Sequence, residues 1–401
     1  MPAVVYASRG RRGSTRAIGF DQFRRVKAKV PPAIAVAFES FAVVEDPRVE
    51  RTKLHPLMNI LVMSLCGAIA GANGWDELAV FARANSAWFA TLFEIRHGTP
   101  SADTFRRVFE VLEPRELEAA LQGWISTVSK SFAGEVVAID GKSLKGAFKK
   151  AGSTTPLHLL HAWAVGQHLL LGQQRVDGAP GEIGAIPELL KRLKIEGATV
   201  TTDANGCTKS VTAAIREAKA DYVLALKGNR GPLHATVKEL FAAAEARKFR
   251  GVATHRSTTK AHGRTERRVV RALRLADSAA PAGWCDLKTV VMIDRTREVS
   301  GETTAERHYY IASLEPDVEK LAHTIRSHWG IENNLHWMLD VAFDEDSRRI
   351  RDERSAENFA LISRIALMML KRSPERLSVN LKRKKAGWER DYMSRLLVGG
   401  V

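Results

Sequence analysis

At 401 residues the chain is too long for one minimal core, which predicts two or three domains of ordinary size. Hydrophobic residues make up 45% and charged residues 26%, close to folded averages, so a disordered or fibrous chain is excluded. A formal charge of +16 points to a polyanionic partner, nucleic acid first, because so many cations otherwise repel one another across the surface.

The first 30 residues carry eight Lys or Arg against the single acid Asp21, and a basic, Pro-interrupted lead extends to about residue 50. From 51 to 130 apolar positions recur at helical spacing and predict a helical domain. Its uncharged run from Leu57 to Ala72 falls short of the roughly 20 residues of a membrane span and reads as a buried helix. The segment Gly71 to Trp75 separates two helices, and Ser101 is placed to cap a helix opening at Ala102. From Glu135 the pattern changes to β-prone runs at Val136 to Ile139, Leu157 to Val165 and Leu169 to Val176. A helix from Ile183 to Leu193, a strand from Ala198 to Thr202, a helix from Ser210 to Ala218 and a strand from Tyr222 to Leu226 complete the order βββαβαβ.

Between about 228 and 306 alternating runs such as Arg268 to Leu273 and Lys288 to Ile293 predict inserted strands. Helix returns from Asp317 through Leu339 and from Ser355 to Leu370. Two further basic stretches stand out: 247 to 271 holds nine Lys or Arg with one acid, Glu266, and 371 to 390 holds eight against Glu375 and Glu389. With the lead, these read as phosphate-contacting arms suited to a long duplex. Cys66, Cys207 and Cys285 form no CxxC pair, which argues against a disulfide framework or zinc finger and fits a reducing compartment. No secretory signal is evident at the start, so the expectation is a cytoplasmic protein without a membrane partner.

Chemistry concentrates where acids close strands. Asp140 follows Val136-Val137-Ala138-Ile139 and precedes Gly141; Asp203 follows Thr199-Val200-Thr201-Thr202 and precedes Ala204-Asn205-Gly206. In a sheet whose fourth strand lies beside the first, the two carboxylates converge. Their hard oxygens suit magnesium or manganese, and a third acid completes a site for two ions on either side of a scissile phosphate. Glu332 is the choice for that acid, with Asp340, Asp344 and Asp346 its rivals on position alone. Spacing of four puts His328, Glu332, His336 and Asp340 on one helical face, but without the His-Glu-x-x-His pattern of a zinc helix. Trp329, Leu335 and Trp337 read as core residues. Lys142 and Lys145 flank Asp140, and Lys227 ends the fifth strand, so three cations are candidates for phosphate contact.

Seven stretches, HPLMNILVMSLCGAIAGANGWDELAVF, GTPSADTFRRVFEVL, AIDGKSLKGA, TTDANGCTK, DYVLALKGN, HGRTERR and HWGIENNLHWMLDVAFDED, run in order across residues 54 to 372. In them the chain resembles transposases of the ISAs-one group of insertion sequences, the H-repeat-associated proteins of the DDE superfamily. The resemblance implies metal-dependent DNA cleavage and strand transfer, with Asp140, Asp203 and Glu332 as catalytic, metal-holding acids for two Mg2+ or Mn2+ ions. It implies an α/β fold in which an RNase H-like mixed five-stranded sheet carries a β-rich insertion and follows a helical N-terminal domain. Expected boundaries are a lead at 1–50, the helical domain at 51–130, the catalytic domain at 131–372 and a basic tail at 373–401. Expected partners are double-stranded DNA and a second copy of the chain on that DNA. Related transposases place Tyr, Arg, Glu and Lys around the last acid, where this chain has Ile325, His328, Glu332 and Leu339; His328 or Arg326 is expected to take over the phosphate contact. A usual Lys-x-Asn-Glu-Ile appears here as Ala179-Pro-Gly-Glu182-Ile183. The competing expectations are a non-transposing nuclease of the same fold and a DNA-binding relic without catalysis.

Overall fold

The computed structural model describes residues 39, 41–129, 131–148, 156–178, 181–261, 263–275 and 281–398. Most of the basic lead, 1–38, lies outside them, as do Ala179 and Pro180. Two compact units divide the chain, one helical (up to 128, and again from 342) and one α/β (129–341).

In the helical unit, α1 (Leu57–Ala70) is apolar on every side and almost wholly buried, the pattern of a core helix. No single helix among the described residues is long and apolar enough to cross a membrane. Gly71, at φ 120°, ends α1 in a conformation that side chains resist, and α2 (Trp75–Ala84) starts afresh. After α3 (Ser86–Leu92), Ser101 Oγ accepts from Thr104 N at 3.2 Å and caps α4 (Ala102–Val111) as the sequence predicts. Pro at the first position opens α5 (Pro114–Val128).

The α/β unit begins with β1 (Val136–Phe148), β2 (Pro156–Ala164) and β3 (Leu169–Arg175), an antiparallel meander. Then come α6 (Glu182–Leu190), β4 (Thr199–Thr202), α7 (Lys209–Glu217) and β5 (Asp221–Leu226). β4 runs parallel to both β1 and β5, giving the order β3-β2-β1-β4-β5 for the five expected strands.

The insertion does not form a separate β layer. After α8 (Gly231–Ala246), a helix that the sequence pattern did not reveal, β6 (Ala253–Ala261), β7 (Arg264–Arg274), β8 (Thr289–Val299) and β9 (Glu302–Ala312) extend the same sheet. β9 pairs antiparallel with β5, and a single nine-stranded sheet results. The physical reason is that β5 would otherwise leave an unpaired edge, and β9 returns to satisfy it.

One face of this sheet is closed by α9 (Val318–Ile331), capped by Asp317. Its Leu321 and Ile325 pack on Val223, Val270, Val291, Ile293 and Ala312, each such side chain contributing roughly 1.5–3 kcal/mol by leaving water. The helix then widens into a π turn, Glu332–His336, before α10 (Trp337–Phe343), where the sequence predicts unbroken α-helix.

Two elements differ in affiliation from the expectation. α11 (Glu353–Arg372) packs with α1, α4 and α5 in the helical unit, and Asn358 Nδ2 donates to Phe109 O and Leu112 O at the end of α4. The basic tail is folded rather than extended, as α12 (Val379–Trp388) and α13 (Arg390–Leu397). Lys382 Nζ donates to Leu370 O and Ser373 O, both at 2.9 Å, and Arg383 donates to Ala68 O and Ala342 O. Helix ends leave carbonyls without partners, and these cations supply the donors.

Candidate catalytic site

Asp140 sits on β1 and Asp203 one residue beyond β4. Because the two strands are parallel neighbours with Ile139 opposite Thr202, the carboxylates leave the backbone side by side at one end of the sheet. Glu332 opens the π turn at the end of α9, and that helix lies against β1 and β4. Three elements remote in sequence thus bring three acids into one electrostatic neighbourhood.

Their mutual influence is visible in their acidities. Burial, reinforced by the charges of Glu182 and Asp140, holds the Asp203 carboxyl above the usual carboxylate range. Backbone N–H groups of Asn205 and Gly206 oppose this by donating to Asp203 Oδ1 at 3.0 and 3.2 Å, fixing its orientation. Glu332 is likewise raised, by burial and then by the charge of Asp140. A positive charge is what this environment lacks.

His336 Nδ1 stands 3.4 Å from Asp140 Oδ2, while its Nε2 is buried with no hydrogen-bond partner. His328 Nδ1 lies 3.0 Å from Thr201 Oγ1; burial lowers its pKa, which keeps the ring neutral. Among the candidate phosphate contacts, Lys142 is buried and donates to Asp340 Oδ1 at 2.6 Å. That pair occupies Asp340, the rival acid, and Asp344 and Asp346 lie outside the α/β unit altogether. Lys145 and Lys227 are exposed, as is Arg326, which also donates to Thr259 Oγ1 at 3.4 Å. Trp329 and Trp337 depart from the core reading: they are 51% and 55% exposed, and only Leu335 is buried. The π turn is the cause, since one extra residue rotates the rest of the helix away from ideal α-helical register.

On the other face of β1, Ser143 Oγ, His158 and Glu182 form a chain: Ser143 Oγ lies 2.9 Å from His158 Nδ1, and His158 Nε2 lies 2.6 Å from Glu182 Oε1. Sequence reasoning noted Glu182 only as part of a motif; its approach to β1 depends on strand pairing 24 residues away.

A strand order of β3-β2-β1-β4-β5, with acids closing β1 and β4 and a third delivered by a helix after an insertion, is that of an RNase H-like fold. Residues 131–369 match the family of the transposase DDE domain, and 38–125 match the DDE_Tnp_1-associated family. The chain therefore belongs to the DDE transposase family. It is 33% identical over 376 residues to the putative transposase YncI of Escherichia coli O157:H7, covering 91% of this chain and 95% of that protein. To the H repeat-associated putative transposase YhhI of Escherichia coli strain K12 it is 32% identical over 368 residues, covering 90% and 97%. A looser overlap, at TM-score 0.42 and 11% identity over 96% of this chain and 82% of the other, is with the piggyBac transposase synaptic complex with hairpin DNA.

Proposed function

We propose that the protein cuts and joins DNA strands at the ends of an insertion sequence, with Asp140, Asp203 and Glu332 holding two Mg2+ or Mn2+ ions. The observation that carries this reading is the meeting of three carboxylates from β1, the end of β4 and the end of α9, with two of them raised in pKa by burial and one another's charge. The donor set fits a divalent cation by its chemistry: hard oxygens crowded without a compensating charge. Among the described residues no three Asp, Glu, His or Cys are gathered tightly enough to share one ion, so binding requires the side chains to draw together.

When bound, such ions supply a deprotonated water or 3′-hydroxyl and offset charge on the leaving oxygen. The chain's own part is to hold Asp203 by the Asn205 and Gly206 amides and to keep His336 beside Asp140. Neutral His328 braces the helix against Thr201, and exposed Lys145, Lys227 and Arg326 offer charge to the DNA phosphates. The partner is double-stranded DNA, bound by two copies of the chain so that both ends are held together, and the setting is the cytoplasm.

The test is cleavage of a duplex carrying the element's own ends, with Mg2+ or Mn2+, in wild type and in Asp140→Asn, Asp203→Asn and Glu332→Gln. Each amide keeps shape and loses charge, so each is expected to abolish strand transfer while end binding persists. Full activity in any one variant removes that residue from the site. Cleavage indifferent to the end sequence makes the protein a nuclease, and binding without cleavage makes it a relic.

A further inference from the structure

We infer that Glu182 is a fourth carboxylate of this centre, held against β1 by His158 and turned toward Asp203 to help bind the cation. The inference rests on Asp140, Asp203 and Glu332 being the metal-holding acids and adds a residue to them.

Three observations converge. Glu182 is the first residue of α6, and its Oε1 is fixed by His158 Nε2 at 2.6 Å, with His158 in turn held by Ser143 Oγ. Oε2 has no hydrogen bond among the described residues, so the carboxylate is half anchored and half available. Second, the pair rests directly on Gly141, the neighbour of Asp140: a Cβ built there would overlap Glu182 Oε1 and both ring atoms nearest it, His158 Nε2 and Cε1. Gly141 has no positive φ to explain it, which leaves the close approach of this pair as what the missing side chain permits. Third, the charge of Glu182 reaches Asp203 and acts on it more strongly than that of Asp140.

An acid in the first turn of a helix also has a bland use, since it complements the helix dipole. That use requires neither a histidine anchor nor a glycine on the adjacent strand. Holding one carboxylate oxygen by an imidazole while leaving the other free is instead how an outer partner orients a metal-binding group, an arrangement whose loss typically weakens affinity by about 10–100-fold.

The experiment is Mn2+ binding to the full-length protein, followed by electron paramagnetic resonance, beside nicking of the end-bearing duplex across the same Mn2+ range. Glu182→Gln removes the charge; Gly141→Ala leaves every charged group in place and displaces the pair. Both are expected to raise the Mn2+ concentration for half-saturation about tenfold and to shift the metal dependence of nicking by the same factor, with end binding unchanged. Asp203→Asn is expected to abolish tight Mn2+ binding. If Glu182→Gln and Gly141→Ala titrate like wild type while Asp203→Asn loses the metal, the role of Glu182 is overturned and the three-acid reading stands. If Asp203→Asn binds Mn2+ as wild type does, the three-acid reading fails, and the inference with it.

Discussion

Lys371, near the end of α11, shows how a single buried cation reports on its surroundings. Burial, and then the charge of Lys382, pushes its pKa down from 10.5 to about 8. A folded pKa below the unfolded one means the folded state binds fewer protons, so this lysine costs stability at neutral pH and that cost fades as pH rises from 8 toward 10.5. Lys371→Met is therefore expected to raise Tm at about pH 7, with the advantage shrinking by about pH 10. A melting series showing an advantage that grows with pH contradicts this assignment.

The opposite case is Arg364, fully buried, whose Nη1 and Nη2 donate to Glu345 at 2.8 and 3.3 Å. Removing one partner of such a pair strands the other charge, typically at about 3–5 kcal/mol. Glu345→Ala should lose that much in urea denaturation, and a loss below about 1 kcal/mol means the pair is solvated in a way the burial of both groups does not suggest.

Among the elements, the π turn from Glu332 to His336 decides what α9 and α10 present to the sheet. Deleting Asn333 restores an α-helical repeat and rotates His336 and Asp340 by about 100° relative to Glu332, breaking the contacts to Asp140 and Lys142. Far-UV circular dichroism should be unchanged while nicking falls at least a hundredfold; undiminished nicking shows the turn to be incidental.

The β6–β7 hairpin sorts its cations by strand alternation. On the α9 side Arg268 pairs with Glu266 at 2.5 Å and Arg295 with Glu306 at 2.6 Å. On the opposite side Arg256, Lys260 and Arg267 are exposed and have no ion pair among the described residues. Their replacement by Ala is expected to reduce the salt slope of DNA binding by about 2–3 log units per log unit of salt if each meets one phosphate. An unchanged slope removes this face from the DNA contact.

For the whole molecule, a net charge of +16 on a chain of this family predicts binding dominated by counterion release. Between about 50 and 200 mM salt, affinity for the ends should fall by about 10³–10⁵ for six to ten phosphate contacts. A shallow dependence in a filter-binding or anisotropy titration means the excess charge serves something other than the duplex.

Local pattern made much of this architecture readable in advance. An apolar run ending in Asp-Gly or in Asp-Ala-Asn-Gly specifies a buried strand that stops at a carboxylate, and the buried α1, the Ser101 cap and the order βββαβαβ come from periodicity and turn chemistry within a few residues. Tertiary packing decided the rest, because the forces involved join residues far apart in sequence. Lys142 stands beside Asp140 in sequence yet is committed to Asp340, 198 residues away. Lys382 and Arg383, in a stretch that reads as a basic arm, are held by the carbonyls of helix ends. Whether an inserted strand starts a new layer or continues the old sheet depends on which edge is left unpaired, and the exposure of Trp329 and Trp337 depends on one added residue in a helical turn. Composition and spacing determine which residues bear charge and which stretches become strands or helices; only the folded chain determines which of those charges find a partner and which remain for the DNA.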